Sequence, residues 1–293
     1  MLVRRAQRSD ERAIYDLVLY ARRRVLLVEW QALRAALYAS SDSAASDETS
    51  LSRTPIDLLC GEREGRVGAL WASEEGPGRI AHLTALTVRD QWSQPATTAA
   101  LLSGVKRALR ESGLDQIAYL GVEPWLTAVL GQNGFAHRGS VITLQKTDEN
   151  VPDWGSREVG VRLAGAADLD EILSVDERAF VPLWRSAAQT LAGQLSDSPF
   201  FVVAELRRRI VGSAYGSLTG RHGHLTRLVV DPGAQGMRIG VRLLAECVGF
   251  FQRQGVYGIT LNTQKDNARA CRLYRWFGFA LLGREAEVWL CTL

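Results

Sequence analysis

The chain repeats itself. Residues 3–10 read VRRAQRSD and residues 161–168 read VRLAGAAD, a spacing of 158. Residues 82–88 read HLTALTV and residues 224–230 read HLTRLVV, a spacing of 142. Asn133-Gly134-Phe135 and Phe277-Gly278-Phe279 stand 144 apart. Matches in the same order encode one fold twice, and such self-similarity constrains architecture before any other feature does. A length of 293 residues accommodates two domains of ordinary size. The spacing shrinks because the first copy carries extra residues early. The Ser/Asp/Thr-rich run ASSDSAASDETSLSRTP, residues 39–55, is nearly without large apolar side chains and reads as the loop that holds them. The polar stretch KTDENVPDWGSRE, residues 146–158, contains Pro152 and Gly155 and reads as the joint. The expected domains are 1–151 and 152–293.

Each copy runs strand, helical region, meander of strands, helix, strand, helix, strand, which is a mixed α/β order. In the second copy FVVAEL (201–206), RRRIVGSAYGSL and HLTRLVV read as successive strands. Val241, Leu244, Val248 and Phe251 recur at helical spacing, and Gly255 ends that helix. YGITLNT is the next strand, and NARACRLYRWF is a helix closed by Gly278.

Charge and composition exclude several classes. The net charge of +3 with scattered basic residues offers no footprint for nucleic acid. No apolar run approaches the ~18 residues of a membrane span. The start MLVRRAQRSDE has no apolar leader, so a cytoplasmic enzyme is expected. Cys60, Cys247, Cys271 and Cys291 form no CxxC pair and no metal-ligand spacing, so buried free thiols and no metal are expected.

One constellation carries chemistry. A strand ending in VVDP leads through QGMRIG into an amphipathic helix. A helix N-terminus offers unpaired N–H groups and the positive end of a dipole, which suits phosphate or pyrophosphate. Gly236 and Gly240 let backbone approach such a ligand. Alone, this pattern is also an ordinary strand-to-helix connection. Further along, Asn267, Ala270, Leu273, Tyr274, Gly278 and Phe279 follow a strand at fixed intervals. Together, QGMRIG and N-x-x-A-x-x-LY-x-x-x-GF resemble the GNAT superfamily of acetyl-CoA N-acetyltransferases, over roughly residues 159–293. The first copy shares the resemblance only through the repeat. Two tandem GNAT-like mixed-sheet domains are implied, in a mycothiol synthase-like architecture. Arg238 departs from the pattern, standing where the family usually has glycine. Its guanidinium has two readings: an added phosphate contact, or solvent.

The resemblance implies direct transfer of acetyl from acetyl-CoA, as cosubstrate, to a primary amine on a small molecule or protein N-terminus. It implies that backbone groups of Leu228, Val229 and Val230 pair with the pantetheine arm. Gln235, Gly236, Met237, Arg238, Ile239 and Gly240 would hold the pyrophosphate, and Asn267 would bond the pantetheine. Tyr274 maps onto the usual general acid; its other reading is a core tyrosine. The carboxylate many relatives carry before the loop is replaced by Thr226, which cannot act as a base. His224 has a suitable pKa for that task, but His82 matches it in the first copy, as a packing residue would. Trp184, in FVPLW, is either a wall of the acceptor pocket or a core residue.

In the first copy the loop becomes Ser93-Gln94-Pro95-Ala96-Thr97-Thr98, without glycine and with a proline that removes a donor. Tyr274 falls on Leu130 and Asn267 on Glu123. That copy reads as a degenerate scaffold. The other function class to set beside an enzyme is a non-catalytic acetyl-CoA-binding sensor, against which Tyr274 stands.

Overall fold

The computed structural model describes residues 1–39, 56–256 and 258–293, so nearly all of the loop expected at 39–55 lies outside the described residues. The chain forms two compact units, one of Met1–Arg138 with Glu287–Leu293, the other of Gly139–Ala286.

In chain order the first copy gives β1 (Leu2–Arg5), α1 (Glu11–Tyr20), β2 (Arg23–Leu26), α2 (Trp30–Ala39), β3 (Ile56–Arg63), β4 (Arg66–Gly76) and β5 (Ile80–Val88). Next come α3 (Gln94–Glu111), β6 (Gln116–Gly121), α4 (Pro124–Gln132) and β7 (Ala136–Lys146). The second gives β8 (Gly160–Leu163), α5 (Leu169–Ala179), α6 (Ala188–Asp197), β9 (Phe200–Leu206), β10 (Arg209–Thr219) and β11 (His222–Val230). It ends with α7 (Ile239–Arg253), β12 (Gly258–Gln264), α8 (Ala268–Trp276) and β13 (Ala280–Thr292).

Each unit is a sheet covered on both faces. In the first, Ile14, Leu17, Leu33 and Leu37 of α1 and α2 cover one side, and Leu101, Val105, Leu126 and Leu130 of α3 and α4 the other. Strands buried on both faces read as continuous apolar runs rather than alternations, as ALWA in β4 does. In the second unit, Leu243, Leu244, Val248 and Phe251 of α7 pack one face, and Ile172, Val175 and Leu191 of α5 and α6 the other. Each such side chain contributes roughly 1.5–3 kcal/mol by leaving water.

The repeat persists to the level of hydrogen bonds. Arg4 bridges Asp10 at 2.7 Å and Glu62 at 2.8 Å. Arg162 bridges Asp168 and Glu205 at the same two distances. The arginine holds the carboxyl of Asp10, and likewise that of Asp168, below the ordinary carboxylate range. Both meanders carry a bulge at one place. The β4–β5 register skips Thr84, and the β10–β11 register skips Thr226.

The partition differs from the expected 1–151 and 152–293 for a physical reason. Each unit's hydrogen-bonded ladder is completed by a strand from the other copy. Residues 287–292 of β13 pair with 116–121 of β6 in the first unit, and 141–146 of β7 pair with 259–264 of β12 in the second. The stretch 146–158 is accordingly more than a joint. Lys146 Nζ, 1% exposed, donates to Asp148 at 2.5 Å and to the carbonyl of Phe277 at 2.7 Å, at the C-terminus of α8. A cation there satisfies an orphan carbonyl and complements the helix dipole. The four cysteines are buried free thiols.

Candidate active site

The site begins with a strand that loses its neighbour. β11 pairs with β12 in parallel only over His222–Leu225. Beyond Leu225, among the described residues, no strand continues that ladder on the β12 side. On the other side Asp231 N donates to Val211 O at 2.9 Å, which sets the alternation. Val229 and Arg227 therefore direct their backbone groups at β10, and Leu228 and Val230 direct theirs at the open edge. Of the three residues expected to pair with the pantetheine arm, Leu228 and Val230 face the open edge, and Val229 faces β10.

The loop after β11 has a shape that only certain backbones adopt. Gly236 has φ of +91° and open space around the position of a Cβ. Arg238 has φ of +59° and ψ of +21°, the left-handed region, and caps the first turn of α7. This explains why glycine suits its place: a side-chain-bearing residue there costs about 1–2 kcal/mol. Its guanidinium is half-exposed to solvent and pairs with Asp153. Ser156 N donates to Arg238 O at 3.3 Å, so segment 153–156 braces the loop from behind. A Cβ on Gly240 would lie 3.6–3.8 Å from Leu273, Val230 and Leu228. Strand edge, loop and α8 thus converge at Gly240. Ile239 is buried in the core and Met237 is exposed. Gln235 Nε2 bonds Val230 O at 3.4 Å, while its Oε1 accepts from Arg269.

Asn267 takes a structural post: its Oδ1 accepts from Ala270 N at 3.1 Å and caps α8. Its amide hydrogens and the second lone pair of Oδ1 remain to offer. Tyr274 is 7% exposed in the core with Leu225, Ile239 and Leu261. Burial pushes its phenol far above the ordinary range, so it keeps its proton and suits a donor rather than a base. His224 Nδ1 lies 2.9 Å from Thr260 Oγ1, and burial lowers its pKa. His82 shows the same lowering and packs where a Cβ on Gly76 would come within 2.5 Å of its Nε2. The shared burial favours the packing reading.

Sequence reasoning missed a charge pair beside this edge, with its carboxylate buried and its guanidinium partly so. Asp176 of α5, 2% exposed, pairs with Arg227 of β11. Arg227 also donates to Trp184 O at 2.7 Å and lies 3.9 Å over the Phe180 ring. Ser186 N donates to Asp176 at 2.8 Å. The signal was present: Arg227 is the charged residue in HLTRLVV where HLTALTV has Ala85.

The first unit has the same frame with the site filled. There β2 pairs antiparallel with β5, Arg23 opposite Val88 and Leu26 opposite Ala85, and Leu27 N donates to Thr84 O at 2.8 Å. These positions match the open edge of β11 at the spacing of 142. The loop is gone as well. α3 starts at Gln94 with Pro95 in its first turn, so residues matching 236–238 are already helix.

Comparison with known proteins points to the same half. The acetyltransferase (GNAT) family matches residues 169–279. Mycothiol acetyltransferase of Brachybacterium faecium is 29% identical over 133 residues, which is 41% of this chain and 40% of that protein. The match thus spans well under two thirds of that relative. A GCN5-related N-acetyltransferase from Sphaerobacter thermophilus superposes with a TM-score of 0.60 at 14% identity, over 99% of this chain and 95% of that one. A tandem GNAT protein from the clavulanic acid biosynthesis pathway does so with a TM-score of 0.55 at 13% identity, over 92% and 98%.

Proposed function

We propose that this chain, whose residues 169–279 match the acetyltransferase (GNAT) family and whose fold is that of tandem GNAT proteins, moves acetyl from acetyl-CoA to a primary amine by direct transfer at the second unit. The observation that carries this reading is the convergence at Gly240 of an open strand edge, a left-handed turn and α8. The donor set fits the cosubstrate. Leu228 and Val230 offer alternating N–H and C=O groups to an amide-containing arm, as an edge strand accepts a peptide. Backbone donors at 236–240 converge ahead of α7, where a diphosphate is favoured.

Acetyl-CoA supplies an activated thioester when bound; the chain's own residues supply position and a proton. An N–H of the open edge polarises the acyl oxygen as it gains charge. Tyr274, held neutral, gives its proton to the departing sulfur. Thr226 is exposed on the bulge and has no proton-accepting group of suitable pKa, so removal of the amine's proton falls to His224 or to water. The experiment is a primary-amine library, small molecules and N-terminal peptides, screened for CoA release by wild type and by Tyr274→Phe. Release with one amine class that falls in the variant supports the reading. Tight acetyl-CoA binding with no release for any amine would make the chain a sensor.

A further inference from the structure

The two units differ at one segment in a way that follows from one pair of side chains. After α1, residues 23–26 enter the edge of β5 as β2. The matching segment after α5, at the spacing of 158, is Val181–Trp184, and it stays out of the edge of β11, forming a single 3-10 turn at Pro182–Trp184. What holds it is Arg227 with Asp176. The guanidinium binds Trp184 O, the carboxylate binds Ser186 N, and Phe180 lies under the guanidinium. In the first unit the matching residues are Val18 and Ala85, 5% and 0% exposed, which can hold nothing.

We propose that Arg227 and Asp176 are a positioning pair that fixes residues 180–186 as a wall beside the open edge of β11 and keeps them from pairing with it. The proposal rests on the reading of that edge as the acetyl-CoA slot. A buried pair is a poor device for stability alone, since desolvation offsets most of its attraction, but it specifies one arrangement over another. Here the competing arrangement is visible in the same chain. Leu228 and Val230 direct backbone groups at an edge that no strand covers among the described residues, and edges of that kind recruit strands. With the pair, the slot stays open; without it, the first unit shows the segment inside.

The test is Asp176→Val/Arg227→Ala, which installs the first unit's residues and strands no charge, followed by amide hydrogen exchange and acetyl-CoA calorimetry. In wild type without cosubstrate, the Leu228 and Val230 amides should exchange at least 10-fold faster than those of Leu86 and Val88, and acetyl-CoA should slow them. In the double variant the same two amides should become protected at least 10-fold without acetyl-CoA, and acetyl-CoA affinity should fall at least 10-fold. Mere loosening of the unit would speed exchange instead, which is how a purely structural role would read. Leu228 and Val230 amides that in the double variant stay as fast as wild type, or speed up, overturn the proposal. So do wild-type Leu228 and Val230 amides as slow as those of Leu86 and Val88, a comparison that needs no variant to fold. Wild type that binds no acetyl-CoA sinks the reading of the slot, while the exchange data still decide whether the pair holds the segment.

Discussion

Tyr274 and His224 each have a chemical and a packing reading, and substitution separates the two. Burial raises the pKa of the Tyr274 phenol, and on the proposed reading Tyr274→Phe removes a donor that acts in the transition state. We expect kcat to fall on the order of 10²-fold with acetyl-CoA affinity nearly unchanged. Unchanged turnover under rate-limiting chemistry would leave Tyr274 a core residue. His224→Ala should retain measurable activity, because His82 is likewise desolvated in the unit whose matching edge is filled by β2. A folded but inactive variant, with the acidic limb of the rate profile gone, would make His224 the base. Both histidines also predict a pH dependence of stability. Burial holds them below their ordinary 6.5, so the unfolded chain binds protons first. Their contribution is complete above that value and is lost as pH falls through it toward the depressed folded values. The melting temperature should drop between about pH 7 and 5, and His82→Gln/His224→Gln should flatten that drop. A wild-type profile flat over this range would contradict it. Tyr274 was legible in the sequence because a motif brackets it. The partner of Arg227 was not, because Asp176 reads as one more polar residue of a surface helix until the fold buries it.

The elements that decide the site are two helix starts. α7 begins at Ile239 behind a turn with positive φ at Gly236 and Arg238, whereas α3 begins at Gln94 with a proline that fixes φ near −65°. The loss of glycines made this difference readable in advance. Arg238→Gly should leave stability unchanged or raise it by up to about 2 kcal/mol. Relief of a left-handed side chain, about 1–2 kcal/mol, is set against a half-exposed ion pair worth about 0.2–1 kcal/mol. Thermal melts that lose several degrees would show that the Asp153 contact matters more than backbone strain. β2 was not readable. Four residues, RRVL, carry too little β signal to stand out after a helix, and they form a strand because β5 offers an unoccupied edge far away in sequence. Local propensity is overruled there by a non-local hydrogen-bonding demand.

At the scale of the molecule, the repeat was legible and the exchange of last strands was not. The β7 and β13 patterns suit either ladder equally, and only the pairings with β12 and β6 decide it. The exchange predicts the effect of shortening the chain. Val288 and Cys291 are buried in the first unit. Removing residues 287–293 should therefore abolish slow exchange at Ile117 and Tyr119 of β6, while α7 and β11 keep theirs. Loss of protection in the second unit instead would contradict the partition. The central claim is that one unit holds an open slot and the other has closed its own. Acetyl-CoA titrated into the whole chain by calorimetry tests this directly. One site per chain is expected, absent in Gly240→Trp, where the indole would displace Leu273, Val230 and Leu228, and intact in Ala96→Trp, at an exposed position. Two equivalent tight sites per chain, or loss of binding in the Ala96 variant with Gly240→Trp unaffected, would contradict the account.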